Sequence, residues 1–259
     1  MSPHISIKAE KVFEILGFPI TNSLLVTTLV IVVFSFIARY YYQELQKEDR
    51  SLVFYGLHAM FVGLYGMFES VLRKNVNVFY GLLGSFFFFI LLSNWSGLVP
   101  GVGSILIEPQ IHLEEIAESK EIHGSGKIPL LRGGTADLNT TVALALLSVI
   151  LTQIFGFKYL GAKAHLKKYF NFKDPIMIML GPLEIIQELA RIVSFSFRLY
   201  GNIFAGEVLL AIIPFLLPVV FSFVVAPMFF LEIFVGTVQA FVFVMLSAVF
   251  INMAVAKQH

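Results

Sequence analysis

Residues 208–231 read VLLAIIPFLLPVVFSFVVAPMFFL. By hydropathy alone this is one membrane span, since about 20 apolar residues cross the hydrocarbon. Its prolines argue otherwise. Pro214 and Pro218 fall in the first half of the stretch, and proline removes an interior hydrogen bond and clashes with the preceding turn. The stretch is therefore expected to break near Pro218, leaving one helix over 176–213 and another over 219–256. Each helix of about 38 residues would be about 57 Å long at 1.5 Å per residue. The hydrocarbon is about 30 Å thick. Such a hairpin must lie steeply tilted, well past the usual tilt of about 20°, with protein supporting one side.

The rest of the composition fits a lipid solvent. The chain has 259 residues, 58% of them hydrophobic and 14% charged, with a mean hydropathy of +0.84. Soluble domains carry about 25% charge. The net charge of +1 implies no general attraction to nucleic acid, and no nucleic-acid-binding motif occurs. The absence of cysteine excludes disulfides, thiol catalysis and thiolate metal sites. His112 and His123 stand eleven apart in an acidic loop and read as solvated residues, so neither metal nor cofactor is expected.

Further spans are expected at 15–38, 75–98 and 138–157. Segment 51–74 is apolar on most sides but carries His58, Glu69, Arg73 and Lys74, which suits an amphipathic helix at the interface or against other spans. Residues 99–137 read as an aqueous loop with a short helix at 112–121. Residues 158–173 hold five lysines and no acid, a compact basic loop. The first segment lacks a cleavage pattern and is expected to be retained. The expected fold is thus all-α, a single membrane domain over 1–259. It has about five membrane-embedded helices, an interfacial amphipathic helix, and a C-terminal hairpin of two long tilted helices. Segments 39–74, 158–173 and the C-terminus hold eleven Lys/Arg, against five in 1–14 and 99–137. The positive-inside rule then puts the N-terminus outside and the C-terminus inside.

Polar residues on the two long helices say what they face. Glu184, Arg191 and Arg198 are seven apart. A helix drifts only about 20° per heptad, so they share a stripe. Gln187, Ser194 and Asn202 fall within about 40° of it. Such a stripe cannot face acyl chains; it needs a complementary partner or a water-filled cavity. Glu207 points to the other side. Glu232 and Gln239 share a face of the second helix. About a turn at Pro218–Val219, Arg198 pairs in level with Gln239 and Glu207 with Glu232. Arginine does not release its proton in proteins, so Arg198 can attract a carboxylate and repel cations but cannot relay. Carboxyls taken out of water hold a proton toward neutral pH, and two together titrate as a coupled pair. Glu207 and Glu232 therefore suit a shared proton site, with Glu184 and Glu188 on the far side of Arg198. Carboxyls flanking a fixed positive charge are the layout of two half-channels separated by an electrostatic barrier.

The stretch PLEIIQELARIVSFSFRLYGNIFAGE (182–207), the later QAFVFVMLSAVFINMA (239–254) and ADLNTTVALAL (136–146) resemble subunit a of F-type ATP synthases. The resemblance implies a non-catalytic ion-channel subunit with no ATP chemistry of its own, two long helices curving along a ring of c subunits, and peripheral-stalk b subunits and lipid as neighbours. It implies that Arg198 faces the ring carboxylates, with Asn202 and Gln239 as its polar neighbours. By the same resemblance Glu207 and Glu232 line the outer half-channel, Glu184 sits toward the inner one, and Arg191 and Ser194 share the ring-facing stripe. Asp137 and Asn139 are further candidates for the outer path, with helix capping the other reading of Asp137. Many bacterial relatives carry histidine where this chain has Glu232. A bacterial inner membrane is the implied location, with an organellar inner membrane as the alternative. A sodium-coupled version of the same subunit, or a self-contained secondary transporter, are the competing functions. The latter favours repeated halves and broken helices around a midplane site, which are not found.

Overall fold

The computed structural model describes residues 9–15, 18–99, 102, 105–107, 128–162, 165–166, 175–216, 223 and 225–255. The elements are β1 (Lys11–Ile15), β2 (Phe18–Thr21), α1 (Asn22–Leu45), α2 (Leu52–Leu72), α3 (Val76–Ser96), β3 (Leu106–Ile107), β4 (Ile128–Pro129), α4 (Leu138–Leu160), α5 (Pro175–Leu216) and α6 (Val225–Val255). The protein is an all-α, multi-pass membrane protein. Five helical stretches are long and apolar enough to cross a membrane: Asn22–Leu45, Leu52–Ser96, Leu138–Leu160, Gly181–Ile213 and Val225–Val255.

One feature departs from the sequence expectations. Lys11–Ile15 and Phe18–Thr21 pair as antiparallel strands, so the first helix starts at Asn22 and not at 15. Thr21 caps it, its hydroxyl accepting from the Leu24 N–H at 3.3 Å. α2 folds back along α3. Arg73 ends α2 at φ 50°, its N–H bonded to the Glu69 carbonyl. The Tyr65 hydroxyl then donates to Asn77 Oδ1 at 2.8 Å and the Tyr80 hydroxyl to the Phe61 carbonyl at 3.0 Å. A non-glycine residue in that backbone region costs about 1–3 kcal/mol, offset here by the packed hairpin.

α5 spans 42 residues, about 63 Å. It opens on Pro175, where the N–H would be unused in any case. α6 likewise carries Pro227 in its first turn. The turn expected at Pro218–Val219, the loop helix at 112–121 and both loop histidines lie outside the described residues.

The chain divides into two compact units, and each long helix except α4 and α2 contributes a stretch to both. The first comprises Met1–Arg39, Phe88–Leu138 and Tyr200–Gln239. Its centre is polar. Buried Asn22 accepts from the Glu10 and Ser23 N–H groups at 3.2 and 2.9 Å and donates to the Pro129 carbonyl at 3.3 Å. Buried Asn94 donates to the Gly236 carbonyl at 2.8 Å and accepts from the Thr135 hydroxyl at 2.7 Å. Trp95 reaches the Ile233 carbonyl and the Thr237 hydroxyl on α6. These bonds tie α3, α6 and the run before α4 together. Asn94→Leu leaves two buried partners unmatched, and a loss of about 1–3 kcal/mol is expected. A lower thermal midpoint of the purified protein checks it.

The second unit comprises Tyr40–Phe87, Asn139–Leu199 and Ala240–His259, and its centre is aromatic and small. Phe79 meets Phe155 edge-on at 4.8 Å, and Phe243 meets Phe86 and Phe195 at 6.2 and 5.0 Å. Ala240, Val244 and Ala248 on α6 are fully buried, and Ser148 bonds Ser247 at 2.8 Å. Lipid is as apolar as leucine, so close approach at small residues and interhelical hydrogen bonds hold such helices together. At the α1–α2 corner Glu44 accepts from the Ser51 N–H at 3.0 Å and pairs with Lys47. The hydrogen bond that the Lys47 ammonium donates to Glu44 holds its pKa above the usual value.

Candidate functional site

In the first unit, the run from β4 to α4 is a tightly held strap. The Leu130 N–H donates to the Ile105 carbonyl at 2.8 Å. Gly97 and Gly133 cross so closely that a Cβ on either would stand 3.3 or 3.2 Å from the other's Cα. A Cβ on Gly134 would come within 2.7 Å of the Thr27 hydroxyl. Asp137, extended and directly before α4, accepts from the Ser23 hydroxyl at 3.0 Å. Asn139, two residues on, is exposed. The strap carries Arg132, whose side chain is 6% exposed and whose Nε lies 3.6 Å from Glu207 Oε2 on α5.

α5 and α6 meet in the same unit. Glu232 is buried, and its carboxyl occupies the place a Cβ on Gly206 would take. Glu207 is the next residue, so the two carboxyls neighbour the same turn of α5. No hydrogen bond or ion pair to Glu232 is present among the described residues. One step along the hairpin, the Asn202 amide donates to Gln239 Oε1 at 2.7 Å. Two amides satisfy one another here without a buried charge. The Tyr200 hydroxyl is buried with no hydrogen-bond partner among the described residues, within electrostatic reach of Arg132, Glu207 and Asp137.

In the second unit Arg198 lies on an exposed face of α5, and its Nη2 donates to Ser194 Oγ at 3.3 Å. No carboxylate pairs with it among the described residues. Arg191 behaves differently. It is 11% exposed, bonds Glu188 at 2.8 Å and lies 3.6 Å over the Phe250 ring. Its charge is thus matched within the chain, although it shares a sequence stripe with Arg198. Glu184 is half-buried.

Sequence reasoning missed Arg132, Asn22, Asn94 and Tyr200. The one available signal was polarity in apolar surroundings: Asn94 near the end of a span, and the sole arginine of 99–137 just ahead of Gly133–Gly134.

A family model described as ATP synthase A chain matches residues 21–252. ATP synthase subunit a of Moorella thermoacetica is 32% identical over 191 residues, covering 72% of this chain and 69% of that one. ATP synthase subunit a 2 of a Bradyrhizobium species is 29% identical over 247 residues, covering 95% and 93%. The Syntrophobacter fumaroxidans subunit a is 31% identical over 201 residues, covering 78% and 71%.

Proposed function

The chain belongs to the ATP synthase subunit a family, and on that premise we propose that it is the proton-translocating stator subunit of a rotary F-type ATP synthase. Arg198 carries the reading. An arginine in an apolar helix, exposed on the chain alone and bonded there only to Ser194 among the described residues, needs an anion from elsewhere. A ring of c subunits, each offering a membrane carboxyl, supplies one.

A proton then enters from the outer side past Glu207 and Glu232, with Asp137 and Asn139 bordering that path. It neutralises a ring carboxylate, which can rotate into lipid. After nearly a full turn the carboxyl meets the inner path near Glu184 and releases its proton. Arg198 attracts the resulting anion and keeps the two paths from joining. Asn202 and Gln239, locked together, hold the polar layer beside it. Peripheral-stalk b subunits keep the chain from turning with the ring. The N-terminus lies outside and the C-terminus in the cytoplasm of a bacterial inner membrane.

The chain has no cysteine, so Ser194→Cys gives a single label beside Arg198. Oxidation of the complex is expected to cross-link it to a cysteine placed near the ring carboxylate. An intact complex that yields no ring cross-link would rule the reading out.

A further inference from the structure

We infer that Arg132 is a positioning residue of the outer proton path, a buried cation that holds the Glu207 carboxylate ready, while Glu232 has no ion pair among the described residues. The inference rests on the proposed function and deepens it.

Three observations carry it. The strap bearing Arg132 is fixed from several sides: by Ile105, by the crossing of Gly97 and Gly133, and by the bonds of Thr135 to Asn94 and Asp137 to Ser23. Such fixing aims a side chain; it is not needed for a solvated loop. The pair itself is open. Arg191 and Glu188 close to 2.8 Å, as an ion pair made for stability does, whereas Arg132 and Glu207 stand at 3.6 Å. Glu207 Oε2 is buried and has no hydrogen-bond partner among the described residues. That oxygen is held by charge and is still able to take a proton. Lastly, the two acids differ: Glu207 faces a cation, while Glu232, 5% exposed, has no ion pair among the described residues. Among the described residues, Asp137 on the strap and Tyr200 on α5 lie within electrostatic reach around the pair, and Glu232 on α6 sits against Gly206, the residue before Glu207.

Two neighbouring acids with equal surroundings would compete for one proton. A fixed cation beside one of them makes the two unequal, so that a proton can step from one to the other in order.

The test uses the whole complex in liposomes, with passive proton conduction after removal of the catalytic head and ATP-driven pumping as readouts. Arg132→Gln is expected to lower both at least about tenfold, since truncating one partner of a buried charge pair leaves the other charge without its counter-ion. Arg132→Lys, which keeps the charge, is expected to stay within about threefold of the unaltered complex on the same principle. The swapped pair, Arg132→Glu with Glu207→Arg, is expected to conduct better than either single change. Arg132→Gln conducting normally would overturn the inference, as would Lys failing as badly as Gln in an assembled complex. If Arg132→Gln does not assemble, the swapped pair decides: no gain over its single changes overturns the pairing. Arg198→Ala runs alongside. Normal pumping there defeats the proposed function itself, whereas a dead Arg198→Ala beside a normal Arg132→Gln defeats only the inference about Arg132.

Discussion

Arg198→Ala is expected to abolish ATP-driven proton pumping while raising the passive proton leak of membranes stripped of the catalytic head. The two effects have one cause. In the proposed function the guanidinium is the fixed charge that an arriving ring carboxylate meets, so without it the anion has no partner and rotation loses its grip on proton transfer. In the same proposal it is the barrier between the outer and inner paths. One charge crossing 100 mV gains about 2.3 kcal/mol, so protons flow once the barrier is gone. A substitution that merely loosened the fold would lower both readouts together. No acidic residue of this chain pairs with Arg198 among the described residues, and its bond to Ser194 is long at 3.3 Å. The alanine variant is therefore expected to assemble with its ring, which quantifying c subunit in the purified complex checks. Arg198→Lys keeps a charge but loses the rigid fork suited to carboxylates, and partial pumping is expected.

Gly206→Ala is expected to give the second largest loss. The Cβ it adds would fall on the Glu232 carboxyl. Either the buried acid swings out or the two helices part. Overfilling of this kind costs about 1–3 kcal/mol, seen as a lower thermal midpoint of the complex. Pumping is expected to fall to the level of Glu232→Gln, because both changes remove the acid from its place. A double variant separates packing from proton chemistry. Gly206→Ala with Glu232→Ala is expected to regain the thermal midpoint and not the pumping. Recovery of pumping there would mean that Glu232 carries no proton.

Much of this site was legible in the residues. Prolines inside an apolar run marked the hairpin, and symmetry about that turn set Glu207 level with Glu232. In the structure Glu232 indeed comes to Gly206, one residue from Glu207. Helical spacing also put Arg191 on one stripe with Arg198, but spacing gives phase and not neighbours. Glu188 lies one turn from Arg191, and Phe250 of α6 lies under its guanidinium. Arg191 is thereby satisfied inside the chain, whereas Arg198 bonds only Ser194 among the described residues. The fold back of α2 along α3 left little mark either, since neither glycine nor proline sits at Arg73–Asn75.

The sequence by itself determined an all-α membrane protein and the polar groups that its long helices carry at a cost. These follow from the period of the helix and the thickness of lipid, which act along the chain. Only the tertiary structure decided that Arg132 meets Glu207. That meeting depends on two glycine backbones crossing at Gly97 and Gly133 and on hydrogen bonds between residues far apart in the chain. Contacts of that kind are set by which surfaces can approach closely, and no periodicity along the chain records them.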